Sequence, residues 1–280
     1  MNKKLKIIGV LLLSLIGIIA LFITVVGLGN YLQNNGYKTL GDIFMFLFPI
    51  LVYVSVTVFN KKVNGLQISQ YGFNLNGFFK NSLLGTLWAF GLMAVVLLVA
   101  IGFGISIQFM PLKDGFAEPL LTLLGTMVLV GVWEEFYFRG LIFNTLVKHQ
   151  FGFHAAALIS SILFSIAHWS SFDPNETSKL WYLGIVLIGY ILVYMYAYTK
   201  SIWTVVFFHF FFNVINYILT DDTGEEIGLF RITNLDEYPM LMDNIAVVCL
   251  GVILLLIVII HQKKPSRLTK KIRSYLYQIN

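Results

Sequence analysis

Three short polar runs interrupt an otherwise apolar sequence, and their residue types could together supply a general base and hold a developing oxyanion. The first reads Gly131-Val132-Trp133-Glu134-Glu135-Phe136-Tyr137-Phe138-Arg139-Gly140, the second Phe164-Ser165-Ile166-Ala167-His168, and the third Phe207-Phe208-His209-Phe210-Phe211-Phe212-Asn213. On a helix Glu135 and Arg139 are i,i+4 neighbours and can pair. Glu134, about 100° around the helix, is then the carboxyl left to act as a general base. The competing reading is a buried Glu–Arg ion pair that joins helices, with the second glutamate protonated. Glu134 and His168 each stand 17 residues from Phe151, so two antiparallel helices turning there would bring them to one depth, face to face. His209 and Asn213 are again i,i+4 and share a face, where two donors could hold a developing oxyanion, each worth on the order of 3 kcal/mol. A polar stripe that merely joins helices is the alternative for that pair, and a helix-joining hydrogen bond is the alternative for His168. His149, His154 and His261 fall at the ends of apolar runs and read as solvated.

These runs need elements to position them, and the composition says what those elements are. Of 280 residues, 58% are hydrophobic and 12% charged, with a mean hydropathy of +0.81, well below the roughly 25% charged residues of soluble domains. Lipid is therefore the expected solvent. Runs of about 20 apolar residues occur at Ile7–Leu28, Asp42–Asn60, Leu83–Ile107, Pro119–Leu146, His154–Trp169, Leu180–Thr199, Ile202–Leu219 and Asn244–His261. The fifth is short for a span. The first is too long for a cleaved leader and lacks a small-residue cleavage site. The expected fold is an all-α polytopic membrane protein of about eight transmembrane helices, with a polar cavity between helices 4, 5 and 7.

Charge supports that count. With the N-terminus inside, fourteen Lys and Arg residues fall on the inner side and four (Lys38, Lys113, Lys179 and Arg231) on the outer. Cytoplasmic loops favour cations, so both termini are expected inside. Twelve of the fourteen acids fall on the outer side or at outer span ends; Glu134 and Glu135 are the exceptions, in the middle of the fourth run. An ionisable group at bilayer depth costs a few kcal/mol and marks function by default. The net charge of +5 follows from this topology, and no nucleic-acid partner is expected. The single cysteine, Cys249, permits no internal disulfide.

The three runs together resemble the motifs EExxxR, FxxxH and HxxxN of the CAAX-protease and bacteriocin-processing family of intramembrane endopeptidases, which includes the type II CAAX prenyl endopeptidases. Every motif position is filled, by Glu134, Glu135 and Arg139, by Phe164 and His168, and by His209 and Asn213. The resemblance covers roughly residues 119–220. It divides one integral membrane domain into three N-terminal spans (1–118), a catalytic core (119–220), and an outer loop, last span and basic cytoplasmic tail (221–280). It implies that Glu134 with His168 activates water, that His209 with Asn213 stabilises the tetrahedral intermediate, and that Glu135, tied to Arg139, tunes the site. The implied partner is a membrane-associated peptide or protein, and the implied location a prokaryotic cytoplasmic membrane. The family is described both as metal-dependent and as glutamic-type. The residues favour the second and no cofactor: if Glu134, His168 and His209 held zinc, the base left over would be Glu135, already paired. A proton-coupled transporter and a non-proteolytic scaffold or immunity protein of the same fold are the competing functions. The first is disfavoured because spans one to three offer no repeat of the polar set.

Overall fold

In a computed structural model, which describes residues 3–111, 115–169, 180–219, 229–233 and 240–263, the described residues form a bundle of eight long helices. We number them α1 (Lys3–Asn34), α2 (Lys38–Phe59), α3 (Phe78–Gly102), α4 (Ala117–Lys148), α5 (Phe153–Ala167), α6 (Trp181–Thr199), α7 (Ile202–Leu219) and α8 (Leu241–Lys263). All but α5 are long and apolar enough to cross a bilayer, and the chain is an integral, multi-pass membrane protein. Helix α5 has 15 residues, about 22 Å of rise against a hydrocarbon core of about 30 Å.

Connections fall on two rims. On one, the Lys4 ammonium lies over the Phe151 ring, and the Ile202 amide donates to the Gly72 carbonyl. The opposite rim carries a Lys38–Glu118 ion pair and two four-residue strands, β1 (Ser106–Phe109) and β2 (Phe230–Thr233), paired antiparallel with Ser106 opposite Thr233. These two short strands accompany an otherwise all-α membrane bundle, the fold class expected. Ile107, expected at the end of the third span, sits in β1, because α3 stops at Gly102 and turns through Gly104 at a φ of 91°. Helix α5 starts at the first rim and α6 ends there. The first rim gathers Lys3, Lys4, Lys61, Lys62, Lys148 and Lys200, lysines expected together on one side of the membrane. Of the basic tail expected there, Lys264, Arg267, Lys270, Lys271 and Arg273 lie outside the described residues. So do Asp114, Asp173, Glu176, Asp221, Asp222, Glu225 and Glu226 of the acidic outer segments.

One irregularity bears on the site. After Glu135, α4 widens into a π-helical stretch, Phe136–Phe143, before an α-helical last turn, Asn144–Lys148. A π-turn inside an α-helix commonly marks a functional segment, and it frees carbonyls that need other donors. Neighbouring side chains supply them. Asn60 and Asn144 both donate to the Gly140 carbonyl, and the Ser160 hydroxyl donates to that of Phe138. Asn144 also donates to the Tyr196 hydroxyl, which donates in turn to the Tyr71 carbonyl. Asn64, which reads in sequence as part of a loop, is instead buried and donates to Asn60 and Thr145.

Candidate active site

Glu134 and Glu135 are buried at the end of the regular part of α4, 17 residues from Ala117 and 14 from Lys148, about 20–25 Å from either helix end. Helix α7 packs against them because Gly131, one turn earlier, has no side chain. A Cβ there would stand 3.2 Å from the Val206 carbonyl oxygen and 3.8 Å from His209 Cβ. Small residues allow this kind of close helix approach in membranes. The short α5 ends at the same depth, and His168 occupies its C-terminal cap rather than the interior of a span.

Two layers of polar contacts result. The inner layer is a relay. Arg139 Nη1 donates to Glu135 Oε1 at 2.8 Å, and His209 Nδ1 lies 2.8 Å from the same oxygen. The carboxylate oxygen accepts a hydrogen bond from Arg139 and another donated by His209 Nδ1. Arg139 Nη2 donates to the Gly189 carbonyl on α6, and the guanidinium lies 4.5 Å from the centre of the Phe164 ring. Phe164 also meets the His168 ring edge-to-face at 4.5 Å. This residue thus separates the buried cation from the outer imidazole and packs against both.

The outer layer faces the cavity. His168 Nδ1 lies 2.8 Å from the Phe164 carbonyl oxygen; a carbonyl only accepts, so Nδ1 donates there and Nε2 is left for chemistry. That Nε2 stands 3.6 Å from Glu134 Oε2, and His209 Nε2 stands 3.8 Å from the same oxygen. Both separations exceed a direct hydrogen bond, and Glu134 Oε2 is buried with no hydrogen-bond partner among the described residues. Two imidazoles, each fixed through Nδ1, therefore aim their second nitrogen at one carboxyl oxygen.

Glu134, His168, His209 and Asn213 line one cavity of about 830 Å³. Glu135 and Arg139 do not line it; they lie behind, with side chains 0% and 1% exposed. The cavity is wider than expected from three spans. Trp181 and Gly184 of α6 line it, and so do Asp243 and Val247 of the last helix, because α6 and α8 close the gap that the short α5 leaves. Sequence reasoning did not single out Asn216, Tyr217 or Asp243, which also line it. The signal for Asn216 and Tyr217 was their place one helical turn beyond Asn213 on α7.

Residues 116–215 match the model of a family described as Type II CAAX prenyl endopeptidase Rce1-like. The matched stretch runs from the start of α4 through most of α7 and contains all seven motif residues. A protein of Bacillus subtilis (strain 168) named "Putative membrane peptidase YdiL" is 33% identical over 97 residues, 35% of this chain and 36% of that protein. The aligned part is thus about a third of the relative's length. No solved structure matches the chain significantly. The likeness is to this family, over the segment that carries the site.

Proposed function

We propose that this chain, similar over its central segment to the Rce1-like type II CAAX endopeptidases, is an intramembrane endopeptidase. It hydrolyses a peptide bond of a membrane-associated peptide or protein, in a prokaryotic cytoplasmic membrane. The observation that carries the reading is the convergence of Glu134, His168, His209 and Asn213 on one cavity at mid-helix depth.

The chemistry follows from the hydrogen-bond pattern. A water held beside Glu134 Oε2 and His168 Nε2 gives up a proton to one of these bases as its oxygen attacks the scissile carbonyl carbon. The carbonyl oxygen becomes an oxyanion, which His209 Nε2 and the Asn213 side-chain amide stabilise. His209 Nδ1 is already engaged with Glu135, so donation through Nε2 requires an imidazolium. The formal charges of Glu134, Glu135, Arg139 and doubly protonated His209 then sum to zero, a balance suited to a low-dielectric site. As the tetrahedral centre collapses, the proton held by Glu134 or His168 passes to the leaving nitrogen, and the C–N bond breaks. Glu135 and Arg139 touch no reacting atom; they hold the His209 ring in place.

One feature favours a second reading, a metal hydrolase. Both histidines spend Nδ1 on a carbonyl or a carboxylate, the arrangement that orients metal-ligating imidazoles. Glu134, His168 and His209 would then be the ligands, and the ion would polarise water or the carbonyl. Against it, no three His, Cys, Asp or Glu side chains among the described residues are arranged to hold an ion, and Glu135 already accepts from two partners, leaving no base. We prefer the glutamic mechanism. With purified protein in lipid nanodiscs, cleavage is expected to persist in strong chelator and to disappear in Glu134→Gln and His168→Ala variants that still fold. Activity lost in chelator and restored by zinc would replace the mechanism; full activity in Glu134→Gln would end it.

A further inference from the structure

A second cavity, of about 510 Å³, forms a groove on the outside of the bundle. Its walls are residues 87–95 of α3, 191–198 of α6 and 253–260 of α8, and Phe208 of α7 is its floor. No lining side chain is charged. The groove gapes at Gly91, where an added Cβ would meet nothing within 4 Å. Leu87, Val95 and Ile260 on its edges are 58%, 44% and 55% exposed, so the groove is open to lipid rather than sealed inside the protein. It shares only Phe208 with the catalytic cavity.

The groove lies in the half of the bundle nearer the lysine-rich rim, where α3 starts and α6 and α8 end. On that side Lys80 heads the α3 face that carries Leu87 and Gly91, seven and eleven residues further on. By helical rise the groove runs about 10–22 Å below Lys80. That is the depth of one leaflet's chains beneath its headgroups, in a bilayer of about 40–45 Å. Lys80 is exposed and takes part in no ion pair among the described residues. No carboxylate is at hand for it: Asp42, Glu118 and Asp243 lie near the starts of α2, α4 and α8, at the opposite rim. The segment 264–280, which follows α8 on the lysine side, holds no Asp or Glu. A lysine at this level attracts anionic headgroups.

We propose that this groove is a binding site for an anionic phospholipid of the bilayer. One acyl chain lies between α3, α6 and α8 over Phe208, and the phosphate pairs with Lys80. The site is independent of the peptidase reading, and its occupancy is measurable without turnover.

Trp88, in the α3 wall, reports that occupancy. The full chain is placed in phosphatidylcholine nanodiscs doped with phosphatidylglycerol or phosphatidylcholine whose chains carry bromine, which quenches indole fluorescence on contact. Trp88→Phe, measured alongside, isolates the Trp88 signal. Half-quenching is expected at about fivefold less brominated phosphatidylglycerol than phosphatidylcholine, the factor that about 1 kcal/mol from one lysine supplies. Lys80→Gln should make the two lipids equal. Gly91→Phe, which fills the groove, should abolish the Trp88 quenching that saturates; Val95→Phe narrows the same groove should Gly91→Phe fail to fold. Equal quenching by the two lipids in the wild type, or a preference that survives Lys80→Gln, overturns the proposal. So does saturable quenching that persists in a folded, filled variant. Trp88 left unquenched by every brominated lipid, as under a second copy of the chain seated on the groove, overturns it as well. Quenching by a brominated-chain lipopeptide that excess phosphatidylglycerol does not relieve would assign the groove to a lipid-bearing substrate instead.

Discussion

Replacing Arg139 with leucine should be among the most damaging single changes in this molecule, for a reason that can be separated from catalysis. The guanidinium is 1% exposed and makes three contacts that leucine cannot: to Glu135 Oε1 at 2.8 Å, to the Gly189 carbonyl at 3.1 Å, and to the Phe164 ring face at 4.5 Å. The variant strands the Glu135 carboxylate, which is 0% exposed, with His209 as its remaining charged or polar partner. Breaking a buried pair from one side costs about 3–5 kcal/mol, and the lost cation–π contact adds about 1 kcal/mol. Glu135→Leu alone strands the cation in the same way. The double variant removes both charges and leaves His209 Nδ1 short of one acceptor, a loss of about 1–3 kcal/mol. The double-mutant cycle in an SDS-unfolding equilibrium should therefore show a coupling of at least about 2 kcal/mol. The double variant should be more stable than either single variant yet inactive, since nothing would orient His209. Additivity within about 0.5 kcal/mol, or a cost under about 1 kcal/mol for Arg139→Leu, would refute the buried-relay argument.

Other perturbations test other parts. Asn213 lines the cavity and makes no hydrogen bond within the described residues, so Asn213→Ala should leave unfolding unchanged while lowering kcat about 10²–10³-fold with little change in KM; a KM effect alone would reassign it to ground-state binding. Gly85 meets α7 so closely that a Cβ would collide with the Thr204 carbonyl, whereas Gly91 on the same helix faces open space. Gly85→Ala should thus cost about 1–3 kcal/mol and Gly91→Ala nothing measurable in the same unfolding assay. His149, just past the end of α4, has its pKa lowered, first by burial and then by the charges of Lys3 and Lys148. The native state then binds fewer protons than the unfolded chain below about pH 6.5, so stability falls as the pH drops through that range. His149→Gln should show a shallower acid-side loss of melting temperature than wild type.

Much of this was legible in sequence because lipid imposes strict rules. Charged residues are so costly in apolar runs that Glu134, Glu135, Arg139, His168 and His209 stood out by type alone, and the Glu135–Arg139 pair followed from helical spacing. What stayed hidden depends on geometry between helices. No local pattern marks the π-helical stretch at Phe136–Phe143, since its cost is met by Asn60 and Ser160 from distant segments. Spacing paired Glu135 with Arg139 but could not show that His209 Nδ1 shares the same oxygen, a contact 74 residues apart in sequence. That contact limits the oxyanion role to a doubly protonated ring. The share of α6 and α8 in the cavity was equally unreadable, because it arises from α5 ending about one and a half turns short of a full span.

The most direct measurement compares the membrane-associated peptides of cells carrying the wild-type chain with those of cells carrying Glu134→Gln, by quantitative mass spectrometry. One or a few precursors are expected to accumulate in the variant while their products disappear, with the protein itself present at wild-type level. Identical peptide populations from the two strains, with the wild-type chain expressed and folded, would contradict the claim that Glu134 drives proteolysis in the bilayer.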